Sequence, residues 1–493
     1  MEFERLNFPH QTFLPFFHRI SFGGQNKELD PLELFTKLGE GKSHAFLLES
    51  CYRPSPISRY SIIGSDPFLI FRSVGTDIEL IREDRRDRIK GDPMEVLKKI
   101  LKTYRLNYLP SYPPFLTGGV GYFSYDLVHQ FEKLPKTTTD DMKCADIYLM
   151  FVDHAVVIDH VDRFVYIVTL VGLDEDPVKN LNHQRLKITE MLEVVESCIR
   201  RKKPEEKRPA PKPSGKLSVR SNLSRDQYKQ MVRRAKLYIK KGDVYQANLS
   251  QRFVAGYSQS GPHLYAALRK VNPSPFAGYM RMDGVEIVSS SPERLLKVED
   301  NRIVTRPIAG TRPRGATQDK DKELSAELLL SPKERAEHLM LVDLERNDLG
   351  RVSRIGTVKV DQLMTVEDYS HVKHIVSNIS GELDDRYEPL DALKAVFPGG
   401  TITGVPKIRC MELIDKLERY RRGPYTGSMG YLSFSGCIDL NIVIRSFVLQ
   451  SGRAYFQAGG GIVADSDPDA EYEESLKKAQ ALKEALRIAV EGV

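Results

Sequence analysis

The sequence has few cysteines and no cysteine motif. The 493-residue chain contains only Cys51, Cys144, Cys198, Cys410 and Cys437, and no pair of them has CxxC spacing. An odd, scattered set argues against a disulfide framework or a zinc site and favours a reducing compartment. The sequence also lacks an apolar run of about 18 residues and a basic stretch leading into an apolar one near residue 1. We therefore expect a cytoplasmic protein without a membrane span.

The sequence also lacks a strong excess of positive or negative charge. The net charge of +6 comes from 73 basic and 67 acidic residues interspersed along the chain, which does not indicate a nucleic-acid partner. The hydrophobic fraction of 41% and the charged fraction of 28% are typical of a globular protein. The length predicts two or three domains or one large composite.

Segment 201–216 is charged, rich in proline and free of large apolar residues, which predicts an exposed linker. A basic nucleic-acid arm is the poorer alternative, because glutamates and prolines are interleaved. The sequence thus predicts an N-terminal region 1–200, a linker 201–216 and a second region 217–493.

Strand patterns dominate the first region, including β-branched runs on both sides of a hairpin turn at 159–163. In the second region, Ser224 and Gln227 predict a capping box at the start of a helix that Gly242 ends. Helices there are gathered between long antiparallel runs, so we predict an α+β fold.

Two helices of the second region carry glutamates that helix chemistry does not require. Ser331 is expected to cap the first helix, with Glu334 as its capping-box partner. Glu337 lies one turn further along, and Glu474 lies beyond the first turn of the second helix. Two carboxylates of this kind could hold a divalent cation such as Mg²⁺. The alternative is solvated helix surfaces, with Glu474 paired to Lys478 at i+4.

Several segments could face an anion. The glycines 459–461 could expose N–H groups near a strand end, although glycine runs also mark bulges and turns. Arg445 lies in an apolar β-rich stretch, where it either binds a carboxylate or reaches solvent at a strand end. The glycine-rich segments 398–407 and 305–315 resemble anion-facing loops, and the former lacks P-loop spacing.

Two titratable residues are ambiguous on their own. Glu293 is a lone acid in an apolar neighbourhood, where a cap or an ion-pair partner is commoner than a general acid. His374 alternates with apolar residues, as a satisfied sheet histidine does.

Four segments together resemble the chorismate-utilising enzymes: PIAGTR at 307–312, DLERNDL at 343–349, residues 397–407 and residues 459–478. The resemblance covers essentially the whole chain. It implies a large sandwich of antiparallel sheets with helices, in which N- and C-terminal segments interleave around one active site. Glu49 and Ser50 also resemble the N-terminal effector motif of the amine-forming branch of this family.

The resemblance also implies roles. Glu337 and Glu474 would bind Mg²⁺, which would hold the ring carboxylate of chorismate. Glu293 would protonate the departing 4-hydroxyl, with His374 and Thr401 positioning the ring and its carboxylate. The remaining substrate contacts would come from Gly310, Thr311, Tyr425, Arg445, Gly459, Gly460 and Gly461. A possible tryptophan effector pocket would use Ser50, Pro275, Phe276 and Ala277.

The nucleophile is implied by Gln246, which stands where the water-adding members of the family have a lysine base. Glutamine cannot act as a base, so ammonia is expected. Between the two ammonia-using kinds, segments 245–250, 272–276 and 439–442 are more similar to enzymes that make 4-amino-4-deoxychorismate than to those that make anthranilate. Ala309 counts the other way, because some enzymes of the first kind use a lysine nucleophile there. No Gly-x-Cys-x-Gly elbow is present, so a separate glutamine amidotransferase subunit is expected to supply ammonia.

Overall fold

The structure is a computed structural model that describes residues 12–23, 28–50, 58–173, 176–199, 217–368 and 372–492. The predicted linker 201–216 lies outside these ranges, so the boundary between the two regions stays a prediction. No helix in the described ranges combines the length and the apolar character needed to cross a membrane.

In chain order, the strands of the described ranges are β1 Phe13–Ser21, β2 Ala45–Glu49, β3 Tyr60–Ser65, β4 Leu69–Val74, β5 Asp77–Ile81, β6 Arg86–Lys90, β7 Gly118–Phe123, β8 Ile147–Val152, β9 His154–Asp159, β10 Phe164–Gly172, β11 Val219–Ser221, β12 Gln246–Gly256, β13 Phe276–Met282, β14 Val285–Ser291, β15 Arg294–Glu299, β16 Arg302–Arg306, β17 Ile308–Pro313, β18 Lys359–Asp368, β19 Val372–Glu382, β20 Gly404–Val405, β21 Ser428–Ser433, β22 Ile438–Ile442, β23 Ser446–Gln450 and β24 Arg453–Ile462. The helices are α1 Pro31–Leu38, α2 Pro93–Thr103, α3 Pro177–Ile199, α4 Arg225–Lys240, α5 Gly261–Val271, α6 Gln318–Leu330, α7 Pro332–Gly350, α8 Pro389–Val396, α9 Lys407–Leu417 and α10 Pro468–Glu491.

The strands form two large antiparallel sheets. The first has the order β1-β10-β9-β3-β2-β13-β14-β23-β24-β12-β11, with β20 beside β12. The second has the order β17-β19-β16-β15-β22-β21-β7-β8-β4-β5-β6, with β18 beside β19. N-terminal strands pair with C-terminal ones in both sheets, as β2 does with β13 and β7 with β21. The predicted α+β sandwich with interleaved segments is therefore confirmed.

Apolar side chains hold the layers together. One cluster combines both sheets, with Phe46 and Met280 from the first and Phe71, Val120 and Leu440 from the second, all of them fully buried. Burying such side chains contributes roughly 1.5–3 kcal/mol each. The sheets therefore pack face to face around a shared core.

A second cluster lies on the outer face of the first sheet. It joins Phe456 of β24 to Leu34, Val195, Leu268 and Leu486 on helices α1, α3, α5 and α10. Helix α10 packs on β24 in this way, and its first turns reach the glycine segment of that strand. This packing brings the predicted Glu474 helix to the sheet.

One long β-branched run does not form a single strand. The predicted run 146–159 divides at Asp153 into β8 of the second sheet and β9 of the first. The Asp153 carboxylate contacts His154 and Lys187 at 2.6 and 2.9 Å, and a polar group of this kind suits the crossing between sheets better than a strand interior. The predicted hairpin is confirmed, because β9 and β10 pair with Asp159 opposite Phe164.

Candidate active site

The N-terminal turns of α7 and α10 place the predicted metal carboxylates beside the glycine segment of β24. Gln246 Nε2 donates to Glu337 Oε1 at 2.9 Å, and a Cβ on Gly461 would lie 1.9 Å from that nitrogen. A Cβ on Gly460 would lie 3.3 Å from Glu474 Oε1. Glu337 of α7 and Glu474 of α10 thus approach neighbouring residues of one strand.

Lys478 lies among these carboxylates. Its Nζ contacts Glu474 Oε1 at 2.8 Å, which is the i+4 pair that the sequence leaves open as an alternative. Partial burial opposes ionisation of Glu474, but the positive charges of Lys478, Lys333 and Lys477 together outweigh that effect and lower the pKa of Glu474. Burial raises the pKa of Glu337, nearby Glu334 adds to the rise, and Lys478 opposes it. The lysine therefore balances part of the negative charge in this region.

The donor set fits Mg²⁺ that is shared with an anion. Within the described ranges, no group of three or more His, Cys, Asp or Glu side chains is arranged to hold a metal ion. Mg²⁺, however, usually takes one or two protein carboxylates together with waters and an anionic ligand. Glu337 and Glu474 supply this number, with Glu471 close by, since its Oε2 would lie 3.5 Å from a Cβ on Gly460. Metal binding stays a prediction.

Glu334 does not form the predicted capping box. The Ser331 hydroxyl does accept from the Glu334 N–H at 3.4 Å, but the Ser331 N–H donates to Glu327 O and closes α6. The Ser331 N–H is therefore not available to Glu334. The Glu334 carboxylate instead contacts Arg312, whose Nη1 lies 3.4 Å from Oε1. Glu334 Oε2 would also lie 2.9 Å from a Cβ on Gly310, so the carboxylate packs against the PIAGTR segment.

Glu293 lies between β14 and β15 and is 4% exposed. Its Oε1 accepts from the Ile308 N–H at 3.3 Å. Burial raises the pKa of Glu293 to about 7, although the Thr401 hydroxyl, the Ile308 N–H and the charges of Arg445 and Lys478 favour the ionised form. A carboxyl that is partly protonated near neutral pH is suited to donate a proton to a leaving group. The sequence identifies this residue only through the family resemblance.

Side chains of Asn248 and Arg422 fix the backbone of the segment that carries Thr401. It forms a short 3₁₀ turn, Gly400–Ile402, and Asn248 Nδ2 donates to the Thr401 carbonyl at 3.1 Å. The side chain of Arg422 is 1% exposed; it donates to Ile402 O at 2.9 Å and pairs with Glu418 at 2.8 Å. These contacts fix the backbone that carries the Thr401 side chain.

His374 of β19 is a neutral imidazole in this structure. Burial, together with the positive charge of Arg445, lowers its pKa to about 3. Nδ1 lies 2.9 Å from Gly310 O and 3.1 Å from Thr311 Oγ1, and since a carbonyl only accepts, Nδ1 carries the proton. His374 therefore orients the loop Gly310–Thr311 and does not serve as a charged acid at neutral pH.

The predicted substrate contacts Tyr425 and Arg445 both lie at unusual backbone geometry. Arg445 has φ +51° and Thr426, next to Tyr425, has φ +60°. Such conformations cost roughly 1–3 kcal/mol for residues other than glycine and are concentrated at functional sites. The Thr426 N–H donates to Val443 O at 2.8 Å, which ties the two segments together. Burial raises the pKa of Tyr425 to about 12, so its hydroxyl stays a hydrogen-bond donor.

The glycines 459–461 lie inside β24 and are paired along one edge with β12. A Cβ on Gly459 would lie 2.0 Å from Leu249 O, so only glycine fits there. The pairing of β24 with β23 extends only to Phe456. In the described part of the chain, the other edge of the glycine segment thus has no pairing strand, and its N–H groups can reach a small anion.

The predicted effector residues come together where β2 pairs with β13. Ser50 Oγ donates to Pro275 O at 2.8 Å, and Ala277 pairs with Glu49 across β2 and β13, next to Phe276. Most of the neighbouring stretch 51–58 lies outside the described residues. Effector binding stays a prediction.

Asn248 and Asn441 lie in two of the segments whose sequence suggests the product, and their side chains make different contacts. Asn248 holds the Thr401 backbone. Asn441 instead donates to Phe276 O at 2.9 Å and accepts from the Met429 N–H at 3.2 Å, so its amide joins strands. Ala309 lies in β17 opposite Ile375 of β19 and brings no nucleophile to the Gly310 loop.

Some site residues give little or no signal in the sequence. Lys478 is visible only as the i+4 neighbour of Glu474. The contacts of Arg422 with Ile402 and of Gln246 with Glu337 join positions far apart in the chain, and no local pattern points to them.

This arrangement of two facing antiparallel sheets, a buried acid of raised pKa and paired carboxylates beside a glycine segment is that of an enzyme site. The profile of the family described as chorismate binding enzyme matches residues 44–484, and the chain belongs to this family. It is a chorismate-utilising enzyme.

Curated relatives carry two names. Anthranilate synthase component 1 of Acetivibrio thermocellus is 42% identical over 473 residues, covering 94% of this chain and 93% of the relative. Aminodeoxychorismate synthase component 1 of Bacillus subtilis (strain 168) is 40% identical over 460 residues, covering 93% and 95%. The similarity to the two is nearly equal, so it does not distinguish the product.

Solved structures agree on the fold. Anthranilate synthase component I from Streptococcus pneumoniae TIGR4 superposes with a TM-score of 0.75 at 32% identity, covering 87% of this chain and 93% of the other. The menaquinone-specific isochorismate synthase from Escherichia coli gives a TM-score of 0.71 at 18% identity, covering 98% of both chains, which concerns the fold alone.

Proposed function

We propose that this chain is the chorismate-aminating component of an aminodeoxychorismate synthase, converting chorismate and ammonia to 4-amino-4-deoxychorismate. The observation that carries the amination is Gln246. Its amide donates to Glu337 at the predicted metal position, where a water-adding enzyme needs a base. An amide cannot take a proton from water, whereas ammonia attacks through its own lone pair.

The placement of the site residues supports the remaining roles. Mg²⁺ held by Glu337 and Glu474 would neutralise and orient the ring carboxylate. Glu293 donates its proton to the departing 4-hydroxyl, because hydroxide is a poor leaving group. Arg445 and Tyr425, with N–H groups of the segment 459–461, take the enolpyruvyl carboxylate.

His374 and Thr401 act on neighbours of the substrate. His374 fixes the Gly310–Thr311 loop through Nδ1, and Thr401 places its hydroxyl against Glu293. The imidazole and the hydroxyl are both neutral, so they orient groups without adding charge that would compete with the carboxylates.

Ammonia is expected from a separate glutamine amidotransferase subunit. Burial raises the pKa of Cys144 and Cys410 to about 12 and that of Cys437 to about 11. A glutaminase nucleophile must be a thiolate, which these thiols are not at neutral pH. Both curated relatives are named component 1, which supports a two-component enzyme.

A second candidate is anthranilate synthase component I, the tryptophan-pathway enzyme. Ala309 favours it, because no lysine nucleophile is present in that loop, and relatives of that name are as similar to this chain as the aminodeoxychorismate synthase is. Chromatography of the products from chorismate, Mg²⁺ and ammonium tests the choice. A non-aromatic amine supports our proposal, and growth of anthranilate fluorescence supports the alternative.

A further inference from the structure

Asn272, which ends α5, contacts the arginine to which we assign the substrate carboxylate. Arg445 Nη1 donates to Asn272 Oδ1 at 3.4 Å. The Arg445 carbonyl accepts from the Ser290 N–H at 3.2 Å, and Asn272 Nδ2 donates to Ser290 O at 3.3 Å. The side-chain end and the backbone of Arg445 are therefore both tied to the Asn272–Ser290 pair.

The orientation of the Asn272 amide follows from its neighbours. Nδ2 lies 3.3 Å from each of three acceptors, Ser290 O, Ser290 Oγ and Ser274 Oγ. In the flipped amide, Oδ1 would face the Ser290 carbonyl and the NH₂ group would face the guanidinium, so both contacts would be repulsive. The side chain is also confined, since Asn272 is 8% exposed and its carbonyl accepts from the Ser290 hydroxyl. Oδ1 is thus fixed toward Arg445.

A neutral acceptor suits an arginine that must bind an anion. An amide oxygen directs the guanidinium but leaves its charge in place, and that charge is felt at Glu293 and His374, whose pKa values it lowers. A carboxylate at the same position would form an ion pair and compete with the substrate. Arg445 also has φ +51°, so its placement depends on the residues that hold it.

We propose that Asn272 is a positioning residue that aims the Arg445 guanidinium at the enolpyruvyl carboxylate of chorismate through a neutral acceptor. The inference rests on the carboxylate role that the proposed function assigns to Arg445. It concerns the affinity for chorismate and not the identity of the product.

Steady-state kinetics of the full chain with chorismate, Mg²⁺ and ammonium test this role. Hydrogen bonds to charged groups imply that Asn272→Asp and Asn272→Ala raise the KM for chorismate on the order of 10- to 100-fold. We expect the isosteric Asn272→Asp to show the larger rise, with kcat changed far less. Ser274→Ala is the matched control, because the Ser274 hydroxyl contacts the amide through Nδ2 and not through the oxygen that meets Arg445. Its KM should stay near that of the wild type.

Each outcome is decisive. A wild-type KM for Asn272→Asp overturns the proposal, and so does an equal rise in Ser274→Ala, which would indicate a structural effect. Thermal unfolding checks each variant, and if one of the two Asn272 variants does not fold, the KM of the other decides the matter. Wild-type chain that consumes no chorismate would contradict the proposed function, whereas unchanged KM in the variants contradicts only this inference.

Discussion

Replacement of Glu293 by glutamine should abolish catalysis and yet stabilise the protein at alkaline pH. The carboxyl is fully buried, and its pKa rises from 4.5 to about 7. Because the folded state holds the proton more tightly than the unfolded chain, the free energy of unfolding falls as pH rises from about 4.5 to 7. With about 1.4 kcal/mol for each pKa unit, the ionised group costs about 3 kcal/mol at pH 8. Glutamine cannot ionise, so the variant avoids this cost.

Unfolding in urea at pH 5 and pH 8 measures the effect. The variant should match the wild type at pH 5 within about 1 kcal/mol and exceed it by about 3 kcal/mol at pH 8. Its kcat should fall roughly 10²- to 10⁴-fold, the range for loss of a general acid. In the wild type, kcat/KM should decline above pH 7 as the acid loses its proton.

Glu345→Gln is the matched control. Burial raises the pKa of Glu345 to about 8, and the charge of Glu293 adds to the rise. Thr305 Oγ1 donates to it at 2.6 Å, and nothing places it against the substrate. The control should also gain stability at high pH but keep its activity. Equal stability of Glu293→Gln and wild type at both pH values, or retained activity, would refute the reasoning.

The remaining predictions concern the metal, the buried ion pair and the nitrogen source. Glu337→Gln and Glu474→Gln should lose activity without unfolding and raise the Mg²⁺ concentration for half-activity; unchanged Mg²⁺ titrations would reject the metal assignment. Arg422→Met leaves Glu418 as a buried unpaired charge and should lower the free energy of unfolding by about 3–5 kcal/mol in urea titration, unlike exposed Arg386→Met. The purified chain should use ammonium and not glutamine, and glutamine-dependent turnover by the chain alone would contradict the need for a separate subunit.

Local signals in the sequence are reliable where neighbours alone decide the structure. Ser224 and Gln227 do form a reciprocal capping box, with contacts of 2.8 and 3.3 Å, because only one turn of helix is involved. The α+β class also follows from local patterns. Glu334 shows the limit, since the same motif fails where the preceding helix occupies the Ser331 N–H.

Contacts between distant segments are beyond such patterns. The sequence indicates that Glu337 and Glu474 are unusual, but only pairing of β12 with β24 brings Gln246 and the glycines to them. The division of the run 146–159 between two sheets likewise depends on the partners of each half. The Asn248 and Asn441 amides look alike in the sequence, and the structure gives them separate surroundings.

The most direct test of the central claim is the amount of pyruvate released per chorismate consumed, with Mg²⁺ and ammonium present. Amination at C4 retains the enolpyruvyl group, so we predict no pyruvate from the chain alone and stoichiometric pyruvate, with 4-aminobenzoate, only after a separate lyase is added. Stoichiometric pyruvate without the lyase, accompanied by anthranilate, would contradict the claim and assign the chain to the tryptophan pathway.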